Sequence, residues 1–133
     1  MRTLLRLEEL VQFLGCALAL YAAELPWWTY ALLLLGPDIG MLGYLIGPRA
    51  GAFGYNLLHH KGLAMACIVA GLYLNAITLF RPGSAWDTDL LLWTGIILYG
   101  HASMDRVFGY GLKFGDSFHH THLGWIGRGG QGA

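Results

Sequence analysis

Charged side chains are scarce in this sequence. Only 12% of the 133 residues are Asp, Glu, Lys or Arg, while 56% are hydrophobic; an ordinary soluble domain carries about 25% charged residues. Eight basic and eight acidic residues cancel, so no basic excess points to nucleic acid. Few charges together with 20 glycines are typical of a polytopic membrane protein, in which small residues let helices approach closely.

Cysteine is also scarce, with only Cys16 and Cys67, and both lie in apolar segments. Buried thiols of this kind are usually inert, so they do not define a redox compartment. Glu8 and Glu9 interrupt the basic start of the chain. The first apolar segment is therefore predicted to stay in the protein, and not to be a cleaved signal peptide.

Four apolar segments are long enough for membrane-spanning helices, which need about 20 residues each. They run roughly over 4–23, 27–46, 52–80 and 89–108. We therefore predict an all-α fold, a four-transmembrane-helix bundle with a short interfacial C-terminal segment. Residues 1–124 form its single domain and 125–133 a flexible tail.

The basic residues predict the orientation of the bundle. Seven of the eight lie near the start of the first span, near the connection between the second and third spans, or at and after the end of the fourth: Arg2, Arg6, Arg49, Lys61, Arg106, Lys113 and Arg128. The eighth, Arg81, lies in the third connection with Asp87 and Asp89. Both termini and the middle connection are thus predicted to be cytoplasmic. An aromatic belt is predicted at the opposite face, formed by Trp27, Trp28, Tyr30, Trp86 and Trp93.

Five glycines crowd the second predicted span and its exit: Gly36, Gly40, Gly43, Gly47 and Gly51. Several are four residues apart, which is the spacing of small residues at tight helix contacts. The spacing predicts close packing of backbones in this region.

Four ionisable residues inside the predicted spans are candidate metal ligands. His101 and Asp105 share one helix face because they are four residues apart. Helical rise places Asp38 about 12 Å, and His59 and His101 about 10 Å, from the cytoplasmic ends of their spans. Ionisable groups at membrane depth usually serve a function. Neutral imidazoles and carboxylates together suit Zn, Fe or Mn.

Other polar residues extend this hypothetical site. Glu8 and His122 are candidate general acids or bases. Asn56 and Arg106 are candidates for orienting the ligands, and Lys113 for binding an anionic lipid headgroup. The alternative is a polar network that only locks the bundle together.

The leading functional hypothesis is a metal-dependent membrane enzyme. A metal-activated water would hydrolyse a lipid-linked or amphiphilic substrate. A second hypothesis is a non-catalytic accessory or binding subunit, packed as a homo-oligomer or within a larger membrane complex. A third is a haem-binding bundle, since His59 and His101 lie at similar depth on different helices, as two axial ligands would.

The strings PDIGMLGY at 37–44, YNLLH at 55–59 and DRVFGYGLK at 105–113 resemble a family of small bacterial four-helix membrane proteins, catalogued as a domain of unknown function. The resemblance covers nearly the whole chain. It implies the four-helix fold, a location in the bacterial inner membrane and a shared site, but no activity.

A second, more distant resemblance follows the order of the candidate ligands. Pro37-Asp38, a His-rich start of the third span and the string from His101 to Asp105 are similar to motifs of SOS-regulated membrane-bound metal-dependent hydrolases. In those proteins the corresponding motifs are thought to bind metal. The resemblance implies a metal-dependent hydrolase.

Overall fold

The protein is all-α in a computed structural model that describes residues 1–80 and 88–127. This confirms the predicted fold class at the level of secondary structure. The helices are α1 (Arg2–Ala22), α2 (Trp28–Leu35), a 3-10 segment (Gly36–Leu45), α3 (Pro48–Leu58), α4 (Lys61–Phe80) and α5 (Thr88–Phe108). A two-stranded antiparallel hairpin follows, with β1 (His120–Thr121) and β2 (Gly124–Trp125).

Helix α5 lies at the centre of the fold and packs against α4, α1 and α2. Glycines bring these backbones together. A Cβ added to Gly71 of α4 would lie 2.6 Å from the Leu92 nitrogen, and one on Gly95 of α5 would lie 2.7 Å from the Ala64 carbonyl. The 3-10 segment packs against α3. Side chains on α5 can therefore meet groups from several elements.

The first and fourth predicted spans match α1 and α5 to within about two residues, but the second span needs correction. Residues 27–46 begin as α2 and then continue as the 3-10 segment. Pro37 explains this change, because it has no N–H to donate to the Leu33 carbonyl and its ring crowds that carbonyl. The α-helical ladder accordingly ends at Leu35.

The third predicted span, 52–80, is two helices. Helix α3 ends at Leu58 and α4 begins at Lys61. The exposed His60 lies in the break, where its Nδ1 accepts a hydrogen bond of 3.1 Å from the Leu63 amide. That bond satisfies one of the four free N–H groups at the start of α4. His60 therefore caps a helix.

One helical stretch of the described residues, Pro48–Thr78 taken across this break, is long and apolar enough to cross a membrane. Of the predicted aromatic belt, Trp27 and Trp28 are exposed, while Trp86 lies outside the described residues. The predicted tail also lies largely outside them, although its first residue, Trp125, pairs with His120 in the hairpin.

The predicted close packing at glycines occurs between the 3-10 segment and α3. A Cβ on Gly40 would lie 2.5 Å from the Gly54 carbonyl oxygen, and one on Gly43 would lie 2.6 Å from that of Ala50. Gly47 differs, because a Cβ there would meet open space. The contact between the two elements thus depends on Gly40 and Gly43.

Replacing Gly40 with Ala is expected to destabilise the protein by about 1–3 kcal/mol, since the new methyl group meets backbone that cannot rotate away. Gly15→Ala in α1 is the matched control, because nothing lies within 4 Å of its added Cβ. The control should leave stability unchanged or raise it by up to about 1 kcal/mol. Thermal unfolding in detergent measures both, and equal stabilities would contradict the close contact.

Candidate metal centre

Four side chains from three parts of the chain converge beside α5. Asp38 comes from the 3-10 segment, His59 from the end of α3, and His101 and Asp105 from α5. One ligand atom from each lies within 4.8 Å of all the others. The side chains of His59 and His101 are 3% and 0% exposed. The structure thus brings together the four residues predicted as metal ligands.

The separations between imidazole nitrogens and carboxylate oxygens are longer than hydrogen bonds. His59 Nε2 lies 3.3 Å from Asp105 Oδ2 and 3.6 Å from Asp38 Oδ1, and His101 Nε2 lies 3.4 Å from Asp38 Oδ1 and 3.9 Å from Asp105 Oδ1. Direct N–H···O bonds are about 2.7–3.2 Å long. Ligands held about 2.0–2.1 Å from a tetrahedral ion stand about 3.3 Å apart. The spacing suits a shared cation.

A backbone carbonyl fixes the tautomer of His101. Its Nδ1 lies 3.0 Å from the Leu33 oxygen, which can only accept, so Nδ1 carries the proton. This carbonyl is available because Pro37 has no N–H to bond it. In the neutral ring, Nε2 then presents a lone pair to the carboxylates.

His59 is held in the same way at the end of α3. Its Nδ1 lies 2.8 Å from the Tyr55 carbonyl oxygen. That oxygen also accepts the His59 amide at 3.0 Å, using its second lone pair. Both imidazoles of the cluster therefore direct Nε2 towards Asp38 and Asp105.

Three of the converging atoms have no hydrogen-bond partner among the described residues. They are Asp38 Oδ1, His59 Nε2 and His101 Nε2, and all three are buried. An unsatisfied buried polar atom costs about 1–3 kcal/mol, and lone pairs facing carboxylates repel. A divalent cation satisfies all of these atoms at once. The donor set and its unpaired atoms therefore fit a metal ion.

Tyr55 orients two of the four residues, and sequence patterns had not singled it out. Its hydroxyl donates to Asp105 Oδ2, and its carbonyl holds His59. Its ring also stacks on the His59 ring, with centroids 3.7 Å apart and planes 13° apart. The i, i+4 spacing of Tyr55 and His59 was the available signal, because such residues share a helix face.

Tyr44 lies on the same 3-10 segment as Asp38. Its hydroxyl is buried without a hydrogen-bond partner in the described parts of the chain. Tyr44 follows Asp38 by six residues in the 3-10 segment, and at three residues per turn the two lie on one face.

Asn56 and Arg106 are placed differently from their predicted role as ligand-orienting residues. Asn56 donates to the Lys113 carbonyl at 2.8 Å and accepts from the Lys113 amide at 2.7 Å, which fastens the C-terminal segment to α3. Arg106 Nη1 lies 3.5 Å from Glu9 Oε1. The contacts that orient the clustered side chains come instead from Tyr55 and the Leu33 carbonyl.

Glu8 and His122 lie outside the cluster. Glu8 is exposed on α1, and its neighbour Glu9 contacts Lys61 and Arg106. His122 Nδ1 accepts the Leu112 amide at 2.8 Å. Helical depth predicts the height of a residue along the bundle but not the direction of its side chain, which explains the placement of Glu8. His122 lies in the turn between β1 and β2, outside the helices.

Lys113 is buried, which corrects its predicted contact with lipid headgroups. It is 4% exposed, donates to the Phe118 carbonyl at 3.1 Å and lies over the rings of Tyr55 and Phe118, 4.7 and 3.9 Å from their centroids. Burial lowers the pKa of its ammonium group. Lys113 therefore fixes the C-terminal segment over the tyrosine that orients the cluster.

Fold and site together define an all-α protein with a buried cluster of two histidines and two aspartates. The family model described as "Domain of unknown function (DUF4260)" matches residues 2–126. The chain belongs to this family, as its motifs predicted. Comparison with curated proteins and with solved structures yields no match, so the resemblance to membrane hydrolases stays a prediction.

Proposed function

We propose that this protein is an integral membrane enzyme that binds one divalent metal ion, Zn, Fe or Mn, through Asp38, His59, His101 and Asp105. The observation that carries the proposal is the set of three buried, unpartnered ligand atoms facing one point. Two nitrogen and two oxygen donors suit these metals. The reaction proposed is hydrolysis of a lipid-linked or amphiphilic substrate.

The exposure of Asp38 and the Tyr44 hydroxyl support hydrolysis as the reaction. Catalytic metal sites keep a position open to water and substrate, and the Asp38 side chain is 34% exposed, which gives an approach to the cluster. A bound ion would lower the pKa of a water and polarise the bond to be cleaved. The Tyr44 hydroxyl has no other partner among the described residues and would donate to a substrate oxygen.

The surface supports a location within the bilayer. One face of α1 exposes Leu7, Val11, Leu14 and Leu18, each more than half exposed. Monomeric soluble proteins rarely expose large contiguous apolar patches, whereas a bilayer solvates such a face. Helix α2 and the 3-10 segment together extend about 32 Å at their respective rises, close to the hydrocarbon thickness.

The proposed topology keeps four crossings, with both termini and the middle connection in the cytoplasm. It rests on the distribution of Arg and Lys between the connections. Segment lengths agree with it, since α1, α4 and α5 have 21, 20 and 21 residues and a spanning helix needs about 20. The clustered residues would then lie towards the cytoplasmic leaflet.

The geometry favours a small cation over haem. The rings of His59 and His101 have centroids 4.8 Å apart and cross at 70°. Carboxylates from Asp38 and Asp105 approach both Nε2 atoms within 3.9 Å. A macrocycle between the two rings would need the space that these carboxylates take.

Elemental analysis of the protein, purified from the membrane fraction in non-ionic detergent, tests the proposal. We expect one divalent ion per chain, retained through gel filtration. The exposed His60→Ala variant is the control and should keep its metal. If the protein holds no stoichiometric ion, even after incubation with Zn, Fe or Mn, the cluster is a polar network that only stabilises the fold, and the accessory-subunit hypothesis is favoured. A Soret absorption band in the purified protein would instead support the haem-binding hypothesis.

A further inference from the structure

We propose that a second site, separate from the four-residue cluster, binds a phosphate-bearing anionic lipid. A cleft of about 490 Å³ lies between the start of α1, the end of α5 and the C-terminal segment. Its lining includes the basic side chains of Arg2, Arg6 and Arg106, together with the imidazole of His122. The proposal goes beyond the metal site and does not depend on it.

The charges of the cleft do not balance. Among the described residues that line it, Glu9 is the one acidic residue, and Glu9 already contacts Lys61 and Arg106. Arg2 and Arg6 therefore leave an excess of positive charge. Guanidinium groups bind phosphate through paired, charge-assisted hydrogen bonds, so an anionic phosphate is the complementary ligand.

The start of α1 adds to this preference for an anion. The helix runs for 21 residues, has no side-chain cap at Met1 and carries no acidic residue in its first turn. Its first N–H groups lack intrahelical partners, and its dipole is positive at this end. Both features favour negative charge beside Arg2.

The cleft also has an apolar, open lining. It includes Leu5, Phe108 and Trp125, which are 52%, 70% and 51% exposed. A free phosphate would leave these side chains in contact with solvent. A lipid would place its headgroup against the arginines and the start of its acyl chains against these apolar side chains, so the combined chemistry favours a lipid. Basic pockets beside membrane helices bind anionic headgroups in this way.

His122 belongs to this second site. It was predicted as a candidate general acid or base, but it lines the cleft together with the arginines. None of the four clustered residues lines it. Loss of metal should therefore leave lipid binding in place, and a His101→Ala variant that binds lipid as the wild type does would show that the sites are separate.

Calorimetric titration of the detergent-purified protein tests the proposal. The ligands are dioctanoyl phosphatidic acid, dioctanoyl phosphatidylcholine and inorganic phosphate. We expect the anionic lipid to bind at least about tenfold more tightly than the other two. Arg6→Gln should weaken its binding about tenfold, the size of one lost charge-assisted hydrogen bond. Arg49→Gln is the control, because Arg49 is exposed outside the cleft.

Three outcomes would overturn the proposal. Equal affinities for the two lipids would remove the preference for net negative charge, and equal losses in Arg6→Gln and Arg49→Gln would indicate non-specific attraction. Inorganic phosphate binding as tightly as phosphatidic acid would point to a soluble phosphate compound. If Arg6→Gln does not fold, Arg2→Gln provides the same test at the other arginine, and Arg6→Lys should keep part of the affinity.

Discussion

His101→Ala is expected to reduce the bound metal from one ion per chain to almost none. The imidazole supplies one of four ligand atoms, and its Nδ1 bond to the Leu33 carbonyl fixes the direction of Nε2. Alanine supplies neither group, and the remaining carboxylates would lose their shared cation. Elemental analysis of the variant beside the wild type measures the effect.

Ser103→Ala is the matched control for this variant. Ser103 is fully buried on the same helix and bonds the Tyr99 carbonyl at 3.0 Å, so it tests the loss of a buried polar group outside the cluster. Chelation should lower the unfolding temperature of the wild type and of Ser103→Ala by several degrees, since a ligand at a thousandfold excess over its Kd stabilises by about 4 kcal/mol. His101→Ala should not respond. An equal response in all three proteins would contradict the assignment.

Tyr55→Phe is expected to weaken metal affinity about 10–100-fold, which is the usual cost of removing a group that orients a ligand. The substitution keeps the ring that stacks on His59 and removes only the hydroxyl that donates to Asp105 Oδ2. Its backbone carbonyl still holds His59. The variant should therefore bind one ion when metal is in excess, but lose it to a weaker chelator than the wild type does.

Competition with chelators of graded affinity measures this change. Tyr99→Phe is the control, because the Tyr99 hydroxyl donates to Gln12 at 3.0 Å and neither residue belongs to the cluster. Unchanged affinity in Tyr55→Phe, or an equal loss in both variants, would mean that the phenol of Tyr55 does not act through Asp105.

The helices that the sequence predicts best are those whose apolar runs are uninterrupted. Helices α1 and α5 begin and end close to the predicted limits. An apolar run alone does not predict the 3-10 segment, because the change from α-helix depends on Pro37, which cannot donate to the preceding turn. The break between α3 and α4 is not predicted, because the apolar residues continue beyond it. The start of α4 depends on a single side chain, His60, which accepts the Leu63 amide.

The cluster was predictable because ionisable residues are rare in apolar segments and because helical rise orders them by depth. Asp38, His59, His101 and Asp105 do meet. Helical rise places Glu8 about 6 Å deep, nearer the surface than the other candidates. It lies on the exposed face of α1, a direction that helical rise does not predict. Tyr55 was overlooked because an aromatic residue in an apolar segment is normally read as core packing.

The carbonyl of Leu33 joins the cluster to residues far away in the chain, since its bond to His101 connects positions 68 residues apart. Contacts between such distant positions form late, after the loops that separate them have closed. An ion could be captured only once α5 has docked beside α2, and it would then hold the early and late parts of the chain together. A bound ion would thus mark a fully folded chain, and in cells it would distinguish folded molecules from those that are still folding.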